Sequence, residues 1–409
     1  MVGRCAGSVF CLDRQFRRAC NGRNRTLFSS SKQGLMNTAF THFIWIVVSS
    51  WWGLSLIIMG FYAGAVHLWI KRWRLIPQGE ATPLDPVRSG LTAIIPCRNE
   101  VGNLPQLIAD LRKQTHPVEI LVVDDGSEDG TALAAVDLGA TCISSPAPGK
   151  KSALIAGIAQ ATTEWVATLD ADVRLGETWA QAMLEAAVGQ EATAVVGPVT
   201  LGPNRSAWDR FQALEYGAMM VWIGGGVHSK GLAMGSGANL LFKRSAYPSD
   251  FLTPAIASGD DTFALEAIQK QQGRLVWQGD PRAGVLTAGA LSWRSLWTQR
   301  GRWASKTTRL DDRETILIAV LIGTVQCTLL AWTLASLVLL NLPLGLATLA
   351  LWAVKMMLDF RLLKQVNSAF KIHARKQDYI TFAPRYLIMV LGAWGQILRG
   401  RVVWKGRRI

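Results

Sequence analysis

Asp170-Ala171-Asp172 closes an apolar run, Trp165-Val166-Ala167-Thr168-Leu169, that reads as a buried strand. Two carboxylates one residue apart at such a position are costly unless a cation sits between them. A hard divalent ion held by one or two carboxylates and by substrate phosphates would satisfy the pair. The chemistry implied is metal-assisted handling of a nucleoside diphosphate. A D-x-D tripeptide also occurs in solvated loops, so its weight rests on its neighbours.

Five further clusters supply those neighbours. Ile94-Ile95-Pro96-Cys97-Arg98-Asn99-Glu100 and Val122-Val123-Asp124-Asp125-Gly126-Ser127 each carry an apolar run into charged residues. A Gly149-Lys150-Lys151 turn precedes a helical pattern, and Ser258-Gly259-Asp260-Asp261 precedes another. Gln299-Arg300-Gly301-Arg302-Trp303 follows, with Gln299 and Arg302 on one face at helical spacing.

The elements that must position these residues alternate between strand and helix. Strands are predicted at Leu91–Pro96, Glu119–Asp124, Thr141–Ser144, Trp165–Leu169 and Ala192–Val199, with helices near 103–114, 130–138, 150–161 and 178–188. That alternation predicts a doubly wound α/β domain, whose ligand crevice lies beyond the carboxyl ends of the strands. Neither a G-x-G-x-x-G nor a G-x-x-x-x-G-K-[ST] phosphate loop occurs, so phosphate must be held by metal and side chains.

In this order the motifs resemble those of the membrane-bound inverting glycosyltransferases of family 2. That group contains cellulose, chitin and hyaluronan synthases and ceramide glucosyltransferases. The resemblance covers roughly residues 90–310 and the flanking membrane layout. It implies an α/β, GT-A-type cytoplasmic domain (Rossmann-like, with a mainly parallel sheet) flanked by transmembrane helices. It implies that Glu100, Asp124, Asp125, Lys150 and Asp170 bind the nucleotide sugar, and that Asp172 with Asp170 holds Mg2+ or Mn2+. Asp261 would be the general base that takes the acceptor hydroxyl's proton on the face opposite the leaving UDP. Gln299, Arg302 and Trp303 would face the diphosphate and the acceptor, Arg302 as a bidentate clamp and Trp303 as a flat apolar wall. The chain departs from the family where Asp260 replaces a common Glu and where Ile155 replaces a common Asn.

Each of these residues has a plainer role beside the functional one. Asp124 can cap the turn at Gly126-Ser127, Lys150 can be a solvated lysine at a helix start, and Glu100 with Arg98 can salt-bridge a loop. Asp260 and Asp261 suit the N-terminus of a helix beginning near Thr262. Arg302 and Trp303 also suit an interfacial helix with snorkelling side chains.

Half of the 409 residues are hydrophobic, 17 are Trp, and the net charge is +14. Residues 1–36 carry seven Arg or Lys against one Asp, and 361–409 carry eleven against one, so the middle of the chain is slightly acidic. Basic charge confined to the ends, beside apolar segments, favours anionic lipid over a nucleic-acid groove, and no nucleic-acid partner is expected. The six cysteines show no metal-ligand spacing, which suits a reducing compartment.

The layout predicted is a basic segment at 1–42, a transmembrane helix at 43–70, a linker at 71–90 and a catalytic domain at 91–310. Transmembrane helices at 316–340 and 343–360 follow, then a basic tail, 361–409, with an interfacial or fourth membrane helix near 379–398. Lys71-Arg72-Trp73-Arg74 places the catalytic domain in the cytoplasm, in a multi-pass protein of the cell (inner) membrane. The basic segment before the first helix conflicts with that orientation unless translation begins at Met36 rather than Met1.

The reaction implied is inverting transfer of a hexose or N-acetylhexosamine from a UDP-sugar to a lipid, lipid-linked or glycan acceptor. Two alternatives stay open: a processive polysaccharide synthase, and a non-catalytic nucleotide-sugar-binding membrane scaffold. Three or four spans leave little material for a translocation channel, and a scaffold has no need of a base at Asp261.

Overall fold

The structure, a computed structural model, describes residues 46, 48–77, 89–248, 260–307 and 312–399, with short strands at 403–404 and 407–408. The basic segment 1–42, residues 78–88 of the linker, and Ser258-Gly259 lie outside the described residues. Contacts divide the chain after Gly60, and every element from residue 91 onward belongs to the second unit, Phe61–Ile409.

In chain order the first elements are α1 (Val48–Arg74), β1 (Leu91–Cys97), α2 (Leu104–Arg112), β2 (Val118–Asp124), α3 (Thr131–Asp137), β3 (Thr141–Ser144) and α4 (Lys150–Gln160). Then come β4 (Trp165–Thr168), β5 (Arg174–Leu175), α5 (Trp179–Gly189), β6 (Ala194–Val196), β7 (Val199–Leu201), α6 (Ala207–His228) and β8 (Leu240–Lys243). The last are α7 (Asp260–Lys270), β9 (Leu275–Trp277), β10 (Val285–Thr287), α8 (Trp293–Thr307), α9 (Arg313–Leu339), α10 (Leu342–Ala369) and α11 (Lys376–Leu398).

Seven strands form one sheet in the order β3-β2-β1-β4-β8-β6-β9. β1 is apolar on both faces, as a central parallel strand requires, and only Pro96 escapes full burial. It pairs in parallel with β2 on one side and with β4 on the other. The chain therefore builds outward to β3, then returns through α4 to the far side of β1. This reversal makes a switch point between β1 and β4, and their carboxyl ends carry Arg98–Glu100 and Asp170–Asp172. The fold is the α/β, GT-A-type arrangement expected, mainly parallel with β8 antiparallel to both neighbours.

Close approach of α4 to the sheet depends on Gly157, where an added Cβ would stand 2.5 Å from Ile94 Cγ2. The strand predicted at Ala192–Val199 is broken. β6 stays in the large sheet, while β7 joins a second sheet of order β5-β10-β7. The break falls at Gly197-Pro198, where Pro198 has no N–H to give a ladder and Gly197 N donates to Asn239 O at 3.0 Å.

The 22-residue helix α6 was missed because it is buried on nearly every side and shows no periodicity. Its start was written in the sequence. Asp209 N donates to Ser206 Oγ at 3.0 Å and Ser206 N donates to Asp209 Oδ2 at 2.8 Å, a reciprocal capping box.

Two described helices, α1 and α9, are long and apolar enough to cross a membrane. At 27 residues each they measure about 40 Å at 1.5 Å per residue. By contrast, α10 buries an ion pair one turn apart, Lys355 with Asp359, and the Tyr62 hydroxyl donates to Asp359 Oδ1 at 2.7 Å. Arg210 of α6 reaches Asp378 of α11 at 2.6 Å, both buried, which docks α11 on α6.

Candidate active site

The carboxyl ends of β1, β2 and β4 face α6, α7 and α8 across a cavity of about 350 Å3, the size of a small-ligand site. Glu100, Asp125, Lys150, Asp170, Asp172, Asp261, Gln299, Arg302 and Trp303 all line it. Residues spread over two hundred positions of sequence thus meet at one switch point.

Asp124 does not reach that wall. It is buried at the end of β2, and its Oδ2 accepts from Ser127 N at 3.1 Å, the turn-capping role. Among the described residues its Oδ1 is buried without a hydrogen-bond partner. Asp125, next in sequence, turns toward the cavity, and its Oδ1 accepts from Gly149 N at 2.8 Å, fixing the turn that presents Lys150.

Lys150 Nζ stands 2.6 Å from Asp170 Oδ1. Asp172 Oδ2 accepts instead from Thr287 Oγ1, at 3.0 Å, which joins the end of β4 to the end of β10. Burial, reinforced by the Asp170 carboxylate and more weakly by Glu100, holds the Asp172 carboxyl above its usual range. Glu100 Oε2 accepts from Asn103 Nδ2 at 2.8 Å, bracing the loop ahead of α2.

Among the described residues no three His, Cys, Asp or Glu side chains are grouped to hold a metal. A divalent ion at Asp170 and Asp172 would take its remaining oxygens from ligand and water, the usual habit of Mg2+. Burial first, and the Asp170 carboxylate second, disfavour the ionised Asp172, and such an ion would offset both. The donor set fits a cation shared with a bound diphosphate.

Across the cavity, Asp261 stands in the first turn of α7. Its Oδ2 accepts from Gly237 N at 3.2 Å and its Oδ1 from Thr262 N at 2.8 Å. Capping and exposure to the cavity coexist in the one side chain. Behind it, α6 supplies Tyr216, Met219, Met220 and Ile223, and the loop before β8 adds Met234. This wall is apolar apart from the Tyr216 hydroxyl, which lies 3.4 Å from Ser236 Oγ. Burial foremost pushes the Tyr216 phenol up to about 12, with Asp170 and Asp261 adding to the effect, so it stays a neutral donor. Sequence reasoning missed Tyr216 and its neighbours together with the helix that carries them.

Gln299, Arg302 and Trp303 enter from α8, whose approach is set by a clamp on the preceding loop. Gln212 of α6 accepts from Ala290 N at 2.7 Å and donates to Ala290 O at 3.0 Å, while Trp208 Nε1 donates to the same carbonyl at 2.7 Å. Thr287, bonded to Asp172, begins that loop.

Residues 92–247 match the family model "Glycosyl transferase family 2". Over 82 residues the chain is 42% identical to an uncharacterized glycosyltransferase of Mycobacterium bovis, covering 20% of this chain and 36% of that protein. Over 102 residues it is 36% identical to 4,4'-diaponeurosporenoate glycosyltransferase of Staphylococcus aureus, covering 24% of this chain and 27% of that protein. The matched segments thus span about a third of these curated relatives. Among solved structures, a mannosyltransferase from Pyrobaculum calidifontis, in complex with GDP-Man and Mn2+, superposes with a TM-score of 0.51 at 18% identity, covering 85% of this chain and 99% of that one. That likeness is one of fold. The family match ends before α7 and α8, so Asp261, Gln299, Arg302 and Trp303 lie outside it.

Proposed function

Proceeding from a glycosyl transferase family 2 domain at residues 92–247, we propose that the chain transfers a hexose or N-acetylhexosamine, with inversion, from a UDP-sugar to a lipid or lipid-linked acceptor. The observation that carries this reading is the convergence, in one cavity, of a carboxylate pair, a separate carboxylate and an apolar wall. Asp170 and Asp172 are the residues that would hold Mg2+ or Mn2+; when bound, the ion neutralises charge on the departing diphosphate. Lys150 and Arg302 add fixed positive charge for the same phosphates. Asp125 sits where it can accept from the nucleoside, and the buried Asp124 Oδ1 is an acceptor one residue behind it.

Asp261 lies on the acceptor side, where its carboxylate takes the proton of the attacking hydroxyl. The Met219, Met220, Ile223 and Met234 wall suits the apolar portion of a lipid acceptor, and Trp303 offers a face for a sugar ring or chain. Placement at the cytoplasmic face of a membrane is supported by α1, α9 and the basic residues Lys71, Arg72 and Arg74 at the end of α1. The relative named 4,4'-diaponeurosporenoate glycosyltransferase is in keeping with an apolar acceptor.

The test is purified full-length protein in detergent, offered UDP- and GDP-sugars with Mn2+ or Mg2+ and total lipid extract. Label entering a single lipid product supports the reading. A ladder of product lengths favours a processive synthase, and nucleotide-sugar binding without transfer favours a scaffold. Transfer from GDP-sugars alone would replace the donor while keeping the reaction.

A further inference from the structure

Arg300 stands between Gln299 and Arg302 on α8 and is buried. Its Nε donates to Glu215 Oε1 at 3.1 Å and to Oε2 at 3.2 Å, and its Nη2 donates to Glu215 Oε2 as well. Its Nη1 donates to Gln299 Oε1 at 2.7 Å. The flat guanidinium lies 4.2 Å from the Trp303 ring centroid and 5.7 Å from that of Tyr216. The two partners are buried, with side chains 8% and 9% exposed.

We propose that Glu215 and Arg300 are a positioning pair for the acceptor side of the cavity: Glu215 fixes the guanidinium, which in turn fixes the Gln299 amide and the Trp303 indole. The inference rests on the reading that Gln299 and Trp303 face the acceptor. An ion pair taken out of water needs near-ideal geometry to persist, and replacing it by apolar side chains is often no loss to stability. Its use here is directional. With Oε1 held by Arg300, the Gln299 amide keeps its N–H pair to offer a ligand. With the guanidinium plane locked by Glu215, the indole keeps one orientation through contact with a flat cation. Lysine cannot substitute, because a point charge has neither fork nor plane. Gly301 supports the arrangement from the other side of α8. A Cβ there would stand 3.1 Å from Ala393 O and 3.2 Å from Gln396 Cβ, so α8 lies close against α11 at this residue.

The test uses full-length wild type, Glu215→Gln, Arg300→Lys and Arg300→Met in detergent. Affinity for UDP and GDP with Mn2+ is measured by calorimetry, and transfer from the preferred sugar nucleotide is followed against increasing total lipid extract. Expected are nucleotide affinities within about twofold of wild type in every variant. The efficiency with lipid should fall at least tenfold in Glu215→Gln and Arg300→Met, mainly through weaker lipid saturation. Arg300→Lys should recover little. Wild-type lipid dependence in both variants, or nucleotide affinity falling in step with transfer, overturns the proposal. Should wild type bind no nucleotide, the glycosyltransferase reading fails and the pair is judged on 5-fluorotryptophan 19F spectra. The Trp303 resonance, identified by its loss in Trp303→Phe, must then shift in both Glu215→Gln and Arg300→Met, and an unmoved resonance overturns the pair.

Discussion

Lys150 Nζ and Asp170 Oδ1 stand 2.6 Å apart, so the cation expected to meet a diphosphate and a carboxylate expected to hold a metal are already joined. Without ligand, Lys150 offsets part of the negative charge of the Asp170–Asp172 pair. Lys150→Ala should therefore act in opposite directions on the two ligands. Nucleoside diphosphate binding should weaken about tenfold or more, the worth of a hydrogen bond to a charged group. Binding of Mn2+ alone should tighten, since a competing cation is gone. Calorimetry with each ligand separately decides it, and parallel weakening of both would refute the shared-charge account.

Asp261→Asn should lower the transfer rate about 10²- to 10⁴-fold, the range contributed by a positioned general base. The amide retains an oxygen for either Gly237 N or Thr262 N, so the α7 terminus keeps part of its cap. Nucleotide affinity should stay unchanged, and a rate near wild type would remove Asp261 from the mechanism.

Asp172→Asn should stabilise the protein in the absence of metal while abolishing metal-dependent transfer. Burial and Asp170 raise the Asp172 carboxyl above the ordinary carboxylate value of 3.8, so the folded state holds that proton more tightly than the unfolded chain. Stability from this group is complete below pH about 4 and is lost as pH rises through the folded value. At neutral pH the ionised carboxylate is a burden that Asn lifts. Thermal melts in EDTA should show a higher Tm for the variant, and added Mn2+ should raise only the wild type.

The first half of the domain was legible because its signals are local. β1, β2 and β4 are short apolar runs ending in charge, and Asp125, Asp170 and Asp172 sit where those runs stop. The half built by α6, α7 and α8 was not. α6 buries residues all around its axis, which removes the periodicity that marks a surface helix. Glu215 gains meaning only by meeting Arg300, 85 residues away, and Tyr216 only by packing 5.8 Å from Trp303. The antiparallel β8 is another pairing that no local pattern specifies. Asp124 shows the converse: a motif position that looked like a ligand contact is held below the cavity wall by its own turn.

Gly392 should prove intolerant of any side chain. A Cβ there would lie 2.1 Å from Trp297 Nε1 and within 2.3 Å of two further indole atoms, so α11 would have to lift off α8. Gly392→Ala should cost about 1–3 kcal/mol, the range for overpacking. It should also lower transfer by disturbing the helix that carries Gln299 and Trp303. Trp297→Leu in the same chain should restore much of both. Melting temperature and lipid-dependent rate, measured on the single and double variants, check the coupling.

Asn239 is the residue whose loss should be felt furthest from where it sits. It is fully buried, its Oδ1 accepts from Trp179 Nε1 at 3.0 Å, and its Nδ2 donates to Pro198 O and Ala283 O at 2.9 Å each. Those partners belong to α5, to the break between β6 and β7, and to the segment entering β10. Through β10 they reach Thr287, which donates to Asp172. Asn239→Ala would strand the Trp179 N–H and the Ala283 carbonyl, while Pro198 O keeps its bond from Val285 N, at roughly 1–3 kcal/mol for each group left unsatisfied. Asn239→Asp keeps the shape but sets a carboxylate against the two carbonyls, and should be no milder. Denaturant unfolding should show losses of several kcal/mol for both variants, larger than for removal of an exposed amide such as Gln106. Metal affinity of the surviving folded protein should fall as well, because the end of β10 no longer holds Asp172 in place. Unchanged Mn2+ binding would confine Asn239 to stability alone.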